Sequence, residues 1–339
     1  MMDLNSIWFL LVSVLLAGYA ILDGFDLGVG VLHLFTRDNT ERRLFINAIA
    51  PVWDGNEVWL LTGGGALFAA FPIVYATVFS GFYLALVLLL LALIFRAVAM
   101  EFRGKVDAPG WRTFWDLAFG LGSLLPAVLL GVAFGNILRG IPIDVHGGFT
   151  GSFVALLNPF SVLVGVTSLL LFTMHGATYL AMKTDGQLRA RMTLFAGRFW
   201  MGFIALYIVV TAWALLASPF LFHGLLRNSL FWVLFAAMLG GGLYHPVALK
   251  GGKFFQAFLA SSCVIGGIVG LSAVSLYPRL VPSLTDLAYS LTIYNASSTE
   301  ATLTVMLIIA LIGMPIVIAY TWFIYRVFKG KVVLGPDSY

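Results

Sequence analysis

Long apolar runs separated by short polar stretches dominate this chain. Nine such runs are present, at roughly 6–35, 50–71, 73–101, 110–138, 158–182, 193–217, 228–249, 254–276 and 299–328. A helix crossing a bilayer core needs about 20 apolar residues, and each run is long enough. The pattern predicts an all-α, polytopic membrane protein. The second run has two readings. Pro51 fits the first turn of a helix, but TERRLFINAIA is itself helix-compatible, so a helix could begin at Thr40 and kink at Pro51. Ser297-x-x-Glu300 reads as a capping box that opens the ninth helix. Phe71-Pro72 makes the second and third helices a tight hairpin. The longer connections, about 139–157 and 277–298, belong to the opposite face from the basic loops.

Charge fixes the expected orientation. The first, third, fifth and seventh connections and the tail hold fifteen Lys and Arg, from Arg37, Arg42 and Arg43 through to Lys331. The other connections hold only Arg139, Arg227 and Arg279. Cytoplasmic loops collect positive charge, so the N-terminus is expected outside and the C-terminus in the cytoplasm. The alternation also requires nine spans.

Composition agrees with this reading. Of 339 residues, 61% are hydrophobic and 10% charged. A soluble protein of this size could not keep so much apolar surface from water. The net charge of +4 belongs to the basic loops, and nucleic acid is not an expected partner. A basic n-region is missing and the first run is too long for a cleavable signal peptide. The one cysteine, Cys263, is expected as a buried, inert thiol in the eighth run, with no disulfide framework. Small residues within the runs, such as Gly63 to Gly65, Gly240 to Gly242, Gly266, Gly267 and Gly270, read as helix-packing positions.

The candidate chemistry lies in the first four helices. Asp23 and Asp26 are in the first, Asp54 and Glu57 in the second, Arg96 and Glu101 in the third and Asp116 in the fourth. Their depths place them all in the cytoplasmic half. Asp23 and Asp26 share a helix face, as do Asp54 and Glu57. A charge near the bilayer centre costs about 2.5–3.5 kcal/mol on the insertion scale, so these groups face the interior, pair or protonate. Six acids cannot all pair with Arg96, which suits a proton relay. Arg96 pinning the bundle through one or two acids is the plainer alternative. Of the histidines, His175 is inside the fifth helix, and His245 is drawn toward the interface by Pro246 and the loop lysines. A haem across a bundle needs two axial ligands at matching depth, and a hydrogen-bonded packing role for His175 is favoured.

Specific strings then carry a resemblance: DGFDLGVG (Asp23 to Gly30), ERR, IAPVWDGNEVWL (Ile49 to Leu60), GGALFAAFP, GVAFGN, LLNPF, HGATYL (His175 to Leu180) and NASS. In order and spacing the chain resembles the second subunit of the cytochrome bd quinol oxidases, including the cyanide-insensitive branch, over nearly its whole length. The resemblance implies two four-helix bundles and a peripheral ninth helix, with divisions at 1–139, 140–276 and 277–339. It implies a homologous first subunit that holds haem b and haem d, no haem ligated by this chain, and small single-helix accessory subunits as further candidate partners. Quinol and dioxygen are the implied substrates, with a structural quinone or lipid on this subunit, in a bacterial or archaeal plasma membrane. Asp54 of WDGN, with Glu57, is the implied proton route. Asp23, Asp26, Arg96, Glu101 and Asp116 are supporting charges, and Trp53, Gly55, Asn56 and His175 serve at the interface or in packing. Glu57 and His175 stand where a Gln is expected in some members, so this chain has extra titratable groups. Two other readings use the same residues. One is a cation-coupled secondary transporter built on the Asp/Glu cluster of the first four helices. The other is a haem-carrying anchor of a quinone-linked dehydrogenase.

Overall fold

The computed structural model describes residues 3–36 and 38–335; Arg37, one of the basic residues of the first connection, lies outside the described residues. The chain runs through α1 (Leu4–His33), α2 (Asn39–Ile49), α3 (Trp53–Ala70), α4 (Pro72–Gly81), α5 (Tyr83–Phe102) and α6 (Pro109–Arg139). A single turn, α7 (Phe153–Leu156), leads to α8 (Pro159–Lys183), α9 (Gly186–Ala217), α10 (Ser229–Lys250) and α11 (Phe254–Leu276). Two short antiparallel strands, β1 (Arg279–Val281) and β2 (Leu291–Thr292), precede α12 (Glu300–Val327). Among the described residues, eight helices are long and apolar enough to cross a membrane: α1, α5, α6, α8, α9, α10, α11 and α12. The second apolar run appears as α3, whose 18 residues begin with the polar Asp54, Asn56 and Glu57. That polar start keeps α3 below the hydropathy of the other eight.

Local chemistry sets the helix limits. Asp3 caps α1 by accepting from the Ser6 amide at 2.7 Å, and Asn158 caps α8 by accepting from Ser161 at 3.0 Å, with Pro159 in the first turn. Pro51 separates α2 from α3. Its missing N–H and its ring disfavour an unbroken helix, so the two readings of the second run resolve into two helices joined over residues 50–52. The third run is α4 followed by α5. Backbone bonds from Phe82 to Val78 and from Leu86 to Phe82, both 2.8 Å, carry one rod through the irregular residue Phe82. The capping box at Ser297 does not form. Thr299 caps α12 instead, accepting from Thr302 at 3.3 Å, because Ser297 and Ser298 are engaged elsewhere. Ser297 Oγ accepts from Asn5, and Ser298 Oγ donates to Ala69 O at 2.6 Å.

α1 is the hub of the packing and meets α3, α6, α8 and α11. Its tightest crossing is with α8. A Cβ on Gly28 would lie 1.9 Å from Phe172 O, and one on Gly176 would lie 2.5 Å from Gly28 C. These two glycines let the backbones touch, as dispersion-driven packing in lipid favours. The glycine clusters expected to pack behave unevenly. Gly241 and Gly267 meet close neighbours, whereas Gly64, Gly65 and Gly240 face open space. Cys263 is also exposed rather than buried. It lies on the outward side of α11, where a bare apolar face is compatible with lipid.

The two ends of the bundle differ. At one end the connections 140–152 and 277–298 interlock, with Ile141 N donating to Pro282 O and Leu284 N to Ile141 O, each at 3.0 Å. Ile141, Ile143, Val281, Leu291 and Ile293 are buried beneath them. The other end gathers the basic residues. There the tail after α12 folds back: Lys183 Nζ donates to Phe328 O and to Gly330 O, the latter at 3.2 Å. Val332 N returns a bond to Lys183 O at 2.9 Å. Lys331 beside Asp185, at 2.6 Å, holds that exposed carboxyl below the usual carboxylate range.

Candidate functional site

Arg96 of α5 is fully buried, and its guanidinium is the centre of the site. One Nη donates to Asp23 Oδ1 at 2.6 Å and to Glu57 Oε1 at 2.7 Å, and the other reaches Asp23 Oδ2 at 3.2 Å. α6 approaches α5 closely here, because a Cβ on Gly122 would fall 2.6 Å from Ala92 O and 2.9 Å from Arg96 N. One cation thus faces two carboxylates, from α1 and α3. Glu57 is partly exposed, with 23% of its side chain accessible, while Asp23 is sealed.

Asp26 lies one turn further along α1 and is also sealed. Its Oδ2 accepts from Asn56 Nδ2 at 2.7 Å, and its Oδ1 has no hydrogen-bond partner among the described residues. Asn56 is fixed at both ends of its amide. It donates to Leu22 O at 3.1 Å as well, and its Oδ1 accepts from the Tyr325 hydroxyl of α12 at 2.9 Å. Arg96 Nε and Trp59 Nε1 are likewise buried without partners.

Asp116 does not join this cluster. It is held at the basic end by Arg103, whose Nε lies 2.5 Å from Oδ1, and by Arg42 at 2.6 Å, with the buried His33 ring 3.2 Å away. Arg103 also reaches Asn39 at 2.7 Å. The expected balance of six acids against one Arg is therefore corrected. Arg42 and Arg103, assigned to loops by their position in the sequence, turn inward to hold one of the six. Nothing in the local pattern marks a bond across 74 residues, although ERR at the start of α2 supplied the residue type.

The remaining candidates lie at the margins. Asp54 is exposed at the first turn of α3, with Trp53 and Gly55 half-buried beside it, and Glu101 is exposed at the end of α5. His175 is fully buried in α8. Its ring nitrogens bond Ser261 Oγ at 2.7 Å and Ile21 O at 3.1 Å, and the ring stacks on Phe258 with centroids 4.6 Å apart. His245 is fully buried near the end of α10, and its Nε2 is 3.0 Å from Thr178 Oγ1. Thr178 of α8 and the Trp200 ring of α9, whose centroid is 5.1 Å from that of the imidazole, pack against it. Both ring nitrogens of His175 are thus engaged, whereas Nδ1 of His245 has no hydrogen-bond partner among the described residues. A cluster of three metal-ligating side chains is missing among the described residues.

A multi-pass helical chain with a buried Arg–carboxylate centre at its basic end is thus defined. The family described as cytochrome bd terminal oxidase subunit II matches residues 4–328. The chain is 39% identical to cytochrome bd-I ubiquinol oxidase subunit 2 of Escherichia coli, over 97% of this chain and 95% of that one. It is 40% identical to cytochrome bd ubiquinol oxidase subunit 2 of Bacillus subtilis, over 98% of each. Its fold is similar to a chain of the bd oxidase from Geobacillus thermodenitrificans, with a TM-score of 0.80 at 19% identity over 96% of this chain and 99% of that one. The chain belongs to the cytochrome bd terminal oxidase subunit II family and is a subunit of an oxidoreductase complex.

Proposed function

We propose that this chain is the second, haem-ligand-lacking subunit of a quinol:oxygen oxidoreductase and that it helps to deliver cytoplasmic protons for the reduction of dioxygen to water. The observation that carries this reading is the buried carboxylate cluster at the basic end, within a family of terminal oxidases. Oxygen reduction consumes protons deep in an apolar complex, so titratable side chains must hand them inward. Asp54 stands at the surface of the first turn of α3. Glu57, three residues on and on the same helix face, reaches Arg96. Asp23 and Asp26 lie behind it. Arg96 supplies the positive field that lets several carboxyl groups occupy one low-dielectric site. Proton uptake from one side of the membrane contributes to the proton-motive force.

In this reading α3 is the ninth crossing, made short by its polar entrance, and the basic end is cytoplasmic. Residues 1–139 and 140–276 form the two four-helix bundles, and α12 is peripheral. A homologous first subunit holds haem b and haem d. The relatives are bacterial, and the location narrows to the bacterial plasma membrane. A cation-binding transporter is disfavoured, because the Arg96 guanidinium fills the place among the carboxylates that a cation would take.

Co-purification with spectroscopy tests the reading. The tagged chain should bring along a haem-bearing membrane partner and b- and d-type bands, while the chain expressed alone should purify without haem. A haem spectrum from the lone chain would place ligation here and overturn the assignment.

A further inference from the structure

The end of the bundle opposite the basic one carries a cavity of about 310 Å³. Its walls follow from local breaks in the chain. Pro219 and Gly224 cut the connection between α9 and α10 into two short 3₁₀ turns, Pro219–Phe222 and Leu225–Arg227, with Gly224 in the left-handed region at φ 72°. Across from them α11 ends at Leu276, and Arg279 opens β1, where it pairs with Thr292 of β2. Phe220, His223, Asn228, Ser275 and Arg279 line the space between. The Arg279 guanidinium lies 6.0 Å from the centre of the Phe220 ring and has no ion pair or hydrogen bond among the described residues. The connections at this end hold only three basic residues, Arg139, Arg227 and Arg279. Arg279 lines the cavity, and Arg227 stands between its lining residues Leu225 and Asn228. No acidic residue lines it among the described residues. Asp286, beside the lining Leu287, turns its carboxylate onto Ala288 N at 2.9 Å.

We propose that this cavity binds the phosphate of an anionic phospholipid headgroup and that Arg279 is the cation that selects it. A guanidinium grips phosphate oxygens through two parallel N–H bonds. Asn228 adds donors, because its Oδ1 is taken by Leu230 N at 3.0 Å and its N–H groups are left to donate. A zwitterionic headgroup is a poor match. Its ammonium finds no carboxylate here, and Arg279 already occupies the face of the Phe220 ring. The uncharged ring of a quinone leaves Arg279 unpaired. A free inorganic anion leaves most of the space to water, since one water takes up about 30 Å³ in the liquid. The apolar surface of α10 begins next to the cavity, where Leu226, Trp232 and Val233 are exposed. Trp232 Nε1 donates to Leu226 O at 3.0 Å, which fixes an amphipathic ring of the kind found where headgroups meet acyl chains. The binding claim stands apart from proton delivery; only its assignment to the outer leaflet rests on the sidedness proposed above.

The test follows the thermal midpoint of the purified, haem-loaded oxidase in detergent as lipid is added. Dioleoyl phosphatidylglycerol should raise it, whereas dioleoyl phosphatidylcholine or inorganic phosphate at the same concentration should not. Arg279→Gln should need about tenfold more phosphatidylglycerol for the same rise, because bonds to a charged group are lost. Its haem content and quinol-driven turnover should be unchanged. Arg139→Gln, which removes the third arginine of this end but no lining residue, should respond like the unaltered complex. No rise with phosphatidylglycerol, an equal rise with phosphatidylcholine, or an unchanged response in Arg279→Gln would overturn the proposal. A full rise with inorganic phosphate alone would make the site one for free anions and overturn the lipid assignment. Should Arg279→Gln fail to assemble, photo-crosslinking of the unaltered complex decides. Phosphatidylglycerol with a photoreactive headgroup should label peptides within 220–228 or 275–287, and labelling confined to other segments would overturn the proposal.

Discussion

Arg96 grips Asp23 through both of its Nη atoms, at 2.6 and 3.2 Å, and neither side chain has any solvent exposure. The pair joins α5 to α1 in the interior, and Glu57 adds a third element, α3, at 2.7 Å. Removing one partner of such a pair leaves the other charge buried alone, at a cost of about 3–5 kcal/mol. Arg96→Ala should therefore lower the yield of assembled complex sharply. Arg96→Lys should recover part of it, since the ammonium keeps the charge but loses the planar fork. Haem content per tagged chain in detergent extracts measures this. Normal yield and activity in Arg96→Ala would show that the carboxyl groups do not depend on the guanidinium.

Asp116 offers a second, independent test. It alone gathers Arg42, Arg103 and His33 at the basic end. Asp116→Ala leaves Arg103, only 4% exposed, without its carboxylate, and should lower the thermal midpoint of the complex by several degrees. Asp116→Asn keeps the hydrogen-bond acceptor and should be milder. An unchanged midpoint in Asp116→Ala would mean that water replaces the carboxylate at no cost.

Close packing of α1 on α8 predicts opposite outcomes for two glycines. Gly28→Ala places a Cβ 1.9 Å from the Phe172 carbonyl oxygen, which is backbone and cannot turn aside. That variant should fail to accumulate. Gly64→Ala meets nothing within 4 Å and should accumulate normally. Immunodetection in membranes distinguishes them, and equal levels would contradict the crossing at Gly28 and Gly176.

The charge bias predicts sidedness. Reporter fusions after Arg191 and Lys331 should read cytoplasmic, and fusions at His146 and Asp286 should read external. A cytoplasmic signal at His146 would break the nine-crossing topology.

Hydropathy located the helices because lipid demands long apolar segments, and no tertiary detail alters that requirement. The charges within the apolar runs were legible too. Arg96 was visible as a cation in an apolar run, and its partners Asp23 and Glu57 were among the acids of the same half. What stayed hidden were bonds between distant segments. Arg42 and Arg103 looked like loop charges, and only the folded chain turns them onto Asp116. Tyr325 carried no signal, since one tyrosine near the end of an apolar helix is commonplace at a membrane interface. Ser297 was misread as a cap because its competing partner, Asn5, is far away in sequence. Cys263 was misread as buried because an apolar run does not disclose which of its faces meets lipid.

Asp54 decides the proton-delivery reading most directly. Asp54→Asn keeps the size of the side chain and most of its hydrogen bonding, yet it carries no proton at neutral pH. The measurement is quinol-driven oxygen consumption by the purified complex, with the haem spectrum recorded on the same sample. Full b- and d-type bands, a retained partner subunit and turnover lowered by at least about tenfold are expected, since positioned proton transfer contributes about 10²–10⁴ in rate. Asp54→Glu should restore part of the rate. Unchanged turnover in a fully haem-loaded Asp54→Asn complex would contradict proton entry at Asp54, and loss of haem or of the partner would make Asp54 a structural contact.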